Sequence, residues 1–208
     1  MMEQMKFIPI LLGSDMNVYG MAKAFHEAYG IKSVAYADHL LAPTKFSHIV
    51  TVHPKMGFDE DPVFTETLLA LAKSTYNNPD MHYLLIPCGD GYAGLLAKNK
   101  EKLAPYYTFI ANNYDLFERL VNKVSFYEVC EEYQLPYPAT VIIRKESLVA
   151  GKFIGELPFE FPIALKPANS VEWLSVDFEG RKKAFILNER AEFDVIIERF
   201  YQAGYQTE

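Results

Sequence analysis

Two lysines stand where a cation has chemical consequences. Lys123 lies at the start of a helical stretch, where a positive side chain opposes the macrodipole at a cost of roughly a few tenths of a kcal/mol. A bound anion would reverse that sign; without one, Lys123 is a solvated surface lysine. Lys166 ends the apolar run Phe161-Pro-Ile-Ala-Leu-Lys166, and lysine is rarely buried without a partner. It either snorkels to solvent or reaches a phosphate as a point charge. Ala168, Asn169 and Ser170 then open a small polar loop towards Trp173. That loop lies over a nucleotide, or it is only a hairpin.

Glycine turns form the second group. The stretch from Gly13 to Gly20 (GSDMNVYG) follows an apolar run and precedes helical spacing, a place suited to phosphate or carboxylate. It lacks the spacing of a dinucleotide fingerprint, and the chain has no Walker-type Gly-Lys-Ser/Thr. Gly13, Asp15 and Asn17 are therefore either crevice residues or a plain turn with a helix cap. The same choice applies to Gly89 and Asp90 in Gly89-Asp90-Gly91-Tyr92, which either lines that crevice or turns the chain with Asp90 as cap. His26, His39, His48, His53 and His82 are scattered without metal-ligand spacing. No Gly-x-Ser-x-Gly elbow is present. Arg181-Lys182-Lys183 follows Glu179-Gly180 and reads as a hairpin tip.

The elements that must position these groups change character along the chain. Strands are expected at Phe7–Leu12, Ser33–Ala37, Ile49–Val52, His82–Pro87 and Tyr107–Ala111. Helical spacing separates them: Val18, Met21, Ala22, Phe25 and Tyr29 share one face, and Gly30 is a stop signal. A second helix opens at Asp61-Pro62 with Phe64, Leu68 and Leu71 inward. Alternation of this kind implies βαβ units and a largely parallel sheet, with the glycine turns at strand C-terminal ends, where such sheets keep their crevice. From Tyr114 the pattern becomes two helical stretches, a stop at Leu135-Pro-Tyr-Pro138, and short extended runs at Thr140–Arg144, Phe161–Lys166, Trp173–Val176 and Lys183–Leu187. A last helix begins near Asn188, with Phe193, Ile196, Ile197 and Phe200 inward and Gly204 at its end. The expectation is α/β in residues 1–113 and a small α+β unit in 114–208.

Composition bounds the function. The chain has 208 residues, half of them hydrophobic, and a net charge of -7. That balance argues against a general nucleic-acid binder, though a nucleotide needs only a local positive site. Cys88 and Cys130 cannot build a disulfide framework, so a reduced cytoplasmic protein is expected. No apolar run approaches the roughly 18 residues of a membrane span, and no membrane partner is expected.

Three stretches together resemble the ATP-grasp superfamily, most closely carboxylate–amine ligases of the peptidoglycan D-aspartate ligase type. Leu11–Glu27 (LLGSDMNVYGMAKAFHE) is similar to the opening of the Rossmann-like domain that precedes the ATP-grasp unit. Asn122–Thr140 (NKVSFYEVCEEYQLPYPAT) resembles the first ATP-lysine helix and the strand after it. Phe161–Ser170 (FPIALKPANS) is similar to the strand with the second ATP lysine and its following loop. The resemblance implies that Lys123 contacts the nucleotide phosphates, that Lys166 reaches the α-phosphate and adenine side, and that Asn169 and Ser170 belong to the loop over the nucleotide. It implies ATP, Mg2+ and a small carboxylate as ligands, with an acylphosphate intermediate that an amine resolves. The family clamps ATP between two subdomains, and the chain carries only the first; the magnesium-holding residues belong to the second. An N-terminal portion of a ligase, inactive alone, is therefore expected. Association as a homodimer stays open, since half a clamp leaves apolar surface. The alternative is a non-catalytic α/β module for a nucleotide or sugar nucleotide, with an accessory domain.

Overall fold

The computed structural model describes residues 6–168, 173 and 175–205. It divides into two compact units, 1–121 and 122–208. The division falls after the change of texture at Tyr114, because the helix beginning there packs within the first unit.

In the first unit β1 (Phe7–Leu12), β2 (Ser33–Ala37), β3 (Val50–Pro54) and β4 (His82–Pro87) form one parallel sheet in the order β3-β2-β1-β4. β1 is central, and its Ile10-Leu11-Leu12 run is wholly buried, as expected of a parallel strand covered on both faces. Its side chains alternate between two clusters. Ile10 and Leu12 join Phe64 and Leu68 of α3 (Val63–Ser74) and Leu96 of α4 (Asp90–Lys98). Leu11 joins Val18 and Ala22 of α1 (Met16–Tyr29) on the other face. Two single-turn helices, α2 (Ala42–Lys45) and α5 (Lys100–Leu103), complete the connections. α6 (Tyr114–Val121) lies on α4 at Gly94, where a Cβ would stand 2.8 Å from the Phe117 ring. Only glycine permits that approach.

The expected fifth strand is reduced to a single parallel bridge between Leu84 and Thr108. Pro62 precedes the helix as its N-cap instead of occupying its first turn. The neighbouring Asp61 carboxylate accepts hydrogen bonds from Thr65 Oγ1 (2.6 Å) and the buried Asn99 Nδ2 (2.8 Å), with Lys98 Nζ at 3.7 Å. Burial disfavours its charge, but these partners outweigh that effect and hold the carboxyl below the ordinary aspartate value.

The second unit has its own core. α7 (Lys123–Glu132) is followed by a tight hairpin of β5 (Leu148–Val149) and β6 (Lys152–Phe153), then by antiparallel β7 (Ile163–Leu165) and β8 (Phe185–Leu187). α8 (Arg190–Gln202) lays Phe193, Ile197 and Phe200 against this core, the inward face its spacing predicts. Glu192 Oε2 accepts from Asn188 N at 2.6 Å in front of that helix, so an acid occupies the positive end.

Two expected strands are absent from the ladders. Val141 and Ile143 pack onto the core, yet residues 140–144 form no strand among the described residues. The run Val141-Ile142-Ile143 is half-buried throughout, and packing of that kind needs no strand partner. Trp173 and Ser175 are helical, and Trp173 and Val176 are both buried; the three-residue spacing, not the two-residue one, governs there.

The Asp61 cluster has a pH signature. A carboxyl with a lowered folded pKa stabilises above the unfolded value of about 3.9 and loses that contribution as pH falls through the folded one. Asp61→Ala is expected to lower the stability of the first unit at pH 7 by about 1–3 kcal/mol, since it strips a buried amide of one partner. Amide exchange in α3 at pH 7 and near pH 3 measures it, and the difference should shrink at the lower pH. An equal loss at both pH values would remove ionisation from the account.

Candidate functional site

In the second unit a cleft of about 840 Å³ opens between α7, the 138–148 segment, β7 and α8. Its floor is apolar, with Val141, Ile143, Ile163, Leu165, Phe193 and Ile197 among the lining residues. Among the described residues its lining carries Lys123, Lys145 and Lys166 and the carboxylate Glu160. All three lysines are exposed.

Local structure accounts for each position. Asn122 caps α7: its side-chain oxygen accepts from Val124 N (2.9 Å) and Ser125 N (3.2 Å). The cap places Lys123 as the first helical residue. Lys123 Nζ donates to Ala168 O at 2.8 Å, which offsets part of the charge–dipole opposition. Lys166 follows the last residue of β7, between the half-buried Leu165 and the buried Pro167. It therefore reaches solvent at the cleft, as snorkelling predicts.

Beyond the loop, the chain is anchored by Trp173. Its ring lies 4.5 Å from Phe200 and 5.4 Å from Tyr205, and its Nε1 donates to Lys182 O at 3.1 Å. Arg181 Nη1 donates to Trp173 O (2.9 Å) and Val176 O (2.6 Å). The basic cluster read as a hairpin tip thus sends the side chain of its first member back to the carbonyls of the Trp173 segment. Asn169 and Ser170 lie outside the described residues.

The first unit has a smaller crevice, about 430 Å³, at the C-terminal ends of β1, β2 and β4. Gly13, Asp15 and Gly89 line it; Asn17 and Asp90 do not. Gly13 holds a positive φ of 122°, and its N–H donates to Tyr36 O at 2.8 Å. Asp15 is the cap of α1, accepting from Asn17 N (3.0 Å) and Val18 N (3.2 Å). Asn17 Nδ2 donates to Cys88 O at 3.0 Å, tying the β1 and β4 turns together. Asp90 is the first residue of α4, behind Gly89 as cap. Asp38 and Asp59 also line the crevice, His39 pairs with Asp38, and no lysine or arginine is among the lining residues. Burial, with Asp15 beside it, pushes the Cys88 thiol up to about 11.

The structure brings Lys123 and Lys166 to one cleft and adds Lys145, which spacing had not singled out. No local signal marks it, since Lys145 follows the continuous apolar run Val141-Ile142-Ile143 and Arg144 as an ordinary basic residue. Among the described residues no group of three or more His, Cys, Asp or Glu could hold a metal ion, and no helix is long and apolar enough to cross a membrane.

Since the cap sets Lys123, Asn122→Ala is expected to lower the stability of the second unit by about 1 kcal/mol. Asn122→Asp should restore it. Trp173, the single tryptophan, gives a fluorescence signal local to this unit for urea titration; equal midpoints for Asn122→Ala and wild type would refute the capping role.

No family model matches the chain. It is 63% identical over 206 residues to a D-aspartate ligase from Enterococcus faecium (strain Aus0004), covering 99% of this chain and 49% of that protein. The chain therefore spans about half the length of the curated relative it matches. Among solved structures it resembles an L-amino acid ligase from Bacillus licheniformis, with a TM-score of 0.55, 12% identity, and coverage of 94% of this chain and 42% of that one. At that identity the likeness shows the fold, and the expected mixed α/β architecture is one that a ligase of known structure also has.

Proposed function

We propose that this chain, of the D-aspartate ligase type by sequence and built on the ATP-grasp ligase fold, supplies one wall of the nucleotide site of an ATP-dependent carboxylate–amine ligase. The observation that carries the reading is the meeting of Lys123 and Lys166 on one cleft with an apolar floor. An apolar floor suits a purine, and exposed ammonium groups beside it suit phosphates.

The reaction this implies has two steps. A carboxylate oxygen attacks the γ-phosphorus of ATP and ADP leaves; an amine then attacks the acylphosphate carbon and phosphate departs. Phosphoryl transfer relies on positioning and charge neutralisation, and the lysines are the groups here able to neutralise. Magnesium finds no matching ligand set among the described residues, so no step is assigned to it in this chain. D-aspartate is the carboxylate that the relative's name suggests, and peptidoglycan synthesis in the cytoplasm is the setting the resemblance implies.

The chain alone should bind ATP weakly and release no phosphate in response to D-aspartate. Lys166→Ala should weaken ATP binding at least roughly tenfold, the scale of a hydrogen bond to a charged group. Chemical-shift titration of the isotope-labelled protein measures this in the millimolar range. D-aspartate-dependent phosphate release by the chain alone, or unchanged ATP affinity in the variant, would sink the reading.

A further inference from the structure

We infer that Arg181 is a positioning residue for the apolar, base-binding part of this cleft, acting through Trp173 on Phe200 and Tyr205. The inference rests on the reading of the cleft as a nucleotide site and adds to it a residue that touches no ligand.

Arg181 is exposed and is not among the residues that line the cleft. Its side chain nevertheless ties down the segment that supports the lining. Nη1 donates to Trp173 O at 2.9 Å and to Val176 O at 2.6 Å. In the other direction, Trp173 Nε1 donates to Lys182 O at 3.1 Å. These bonds join the Trp173 segment to the stretch of chain that runs into β8. Arg181 N also donates to Phe178 O at 3.2 Å, which closes the turn from which the side chain reaches back. Hydrogen bonds from a guanidinium are charge-assisted, and that group stays ionised at any working pH.

The ring held in this way reaches the cleft in one step. Trp173 is buried, with its ring centre 4.5 Å from Phe200, 5.4 Å from Tyr205 and 5.6 Å from Phe178. Phe200 and Tyr205 are lining residues, and Phe178 stands 5.9 Å from Phe200. Aromatic pairs favour particular tilts and offsets, and a close-packed interior passes the displacement of one ring to the next. A shift of the Trp173 backbone therefore moves the aromatic part of the cleft wall.

The effect belongs to the base and not to the phosphates. Lys123 opens α7 and Lys166 follows β7, so neither ammonium group is carried by the Trp173 segment. Because Arg181 is exposed, its truncation leaves the aromatic core filled and removes hydrogen bonding from it.

Titrations of the 208-residue chain with adenosine, ATP and tripolyphosphate, followed by chemical shift, test this for wild type, Arg181→Met, Arg181→Lys and Lys166→Met. Arg181→Met is expected to weaken adenosine and ATP by the same factor, roughly three- to tenfold on the scale of one net hydrogen bond, and to leave tripolyphosphate unchanged. Arg181→Lys, whose ammonium group can donate to both carbonyls, should recover most of that loss. Lys166→Met should show the converse pattern, weaker for ATP and tripolyphosphate and unchanged for adenosine. A lowered tryptophan-monitored urea midpoint in Arg181→Met, with adenosine and ATP affinity unchanged, makes Arg181 a stabilising residue only and overturns the inference; the loss in Lys166→Met then leaves the cleft reading standing. Equal losses for all three ligands overturn the assignment to the base. A loss in Arg181→Lys as large as in Arg181→Met removes donation to the carbonyls as its cause. Unchanged ATP affinity in both methionine variants removes the nucleotide site, and the role of Arg181 with it.

Discussion

The cleft depends on the packing of Trp173 against Phe200, 4.5 Å between ring centres. The sheets of the second unit are too small to hold it open by themselves: β5–β6 pairs two residues with two, and β7–β8 three with three. Isolated two-stranded ribbons are marginal in water. Stability must come from side chains, and the cluster of Phe153, Trp173, Phe185, Phe193 and Phe200 supplies buried aromatic area of the kind that dominates core energetics. β7 has Lys166 just beyond its last residue, and α8 forms part of the cleft floor; both are fixed by this one cluster. Arg181 contributes by donating to the carbonyls of Trp173 and Val176 beside that cluster.

The first unit was legible because its signals agree at every level. Apolar runs, helical spacing and glycine turns alternate in a βαβ order, and each run of β1, β2 and β4 appears at its expected bounds. The second unit was legible in order more than in kind. The runs at Thr140 and Trp173 look like strands since apolar residues recur at short intervals, but a period measures which side faces the core. Whether the backbone pairs depends on a neighbouring edge, and sequence spacing carries no information about that. Val141 and Ile143 pack from a segment with no strand assignment, and Trp173 packs from a helical residue with Val176 just beyond it.

Site residues divide along similar lines. Lys123 and Lys166 stand out in the sequence because each violates a local preference, one at the positive end of a helix and one after an apolar run, and both line the cleft. Lys145 violates none, so its position emerges only once the 140–144 segment is folded against the core. Arg181 adds a detail that its place after a Glu-Gly turn does not announce: the residue is exposed, yet its guanidinium reaches back to Trp173 O and Val176 O. Net charge was the least useful guide, since 20 positive and 27 negative groups say nothing about which of them share a wall.

Two helix caps bring out what does decide the local charge. α1 follows a glycine turn at the C-terminal end of β1, the position where open α/β sheets hold their ligands, and its free N–H groups would favour an anion. Asp15 occupies that cap with a carboxylate, and Asp38 and Asp59 line the same crevice, so the field of the helix is answered from within the protein. α7 has the same geometry with a neutral cap: Asn122 satisfies two N–H groups and adds no charge, and Lys123 follows it. There the helix end and the ammonium group act in the same direction, and Glu160 is the carboxylate among the described lining residues. Two side chains that differ by an amide and a carboxylate make equivalent hydrogen bonds at the two caps, yet leave opposite fields for a ligand. The glycine turn is the more familiar signature of a phosphate site. In this chain the cap residue sets the sign at each helix end, and the neutral cap is the one at α7, where the nucleotide is proposed.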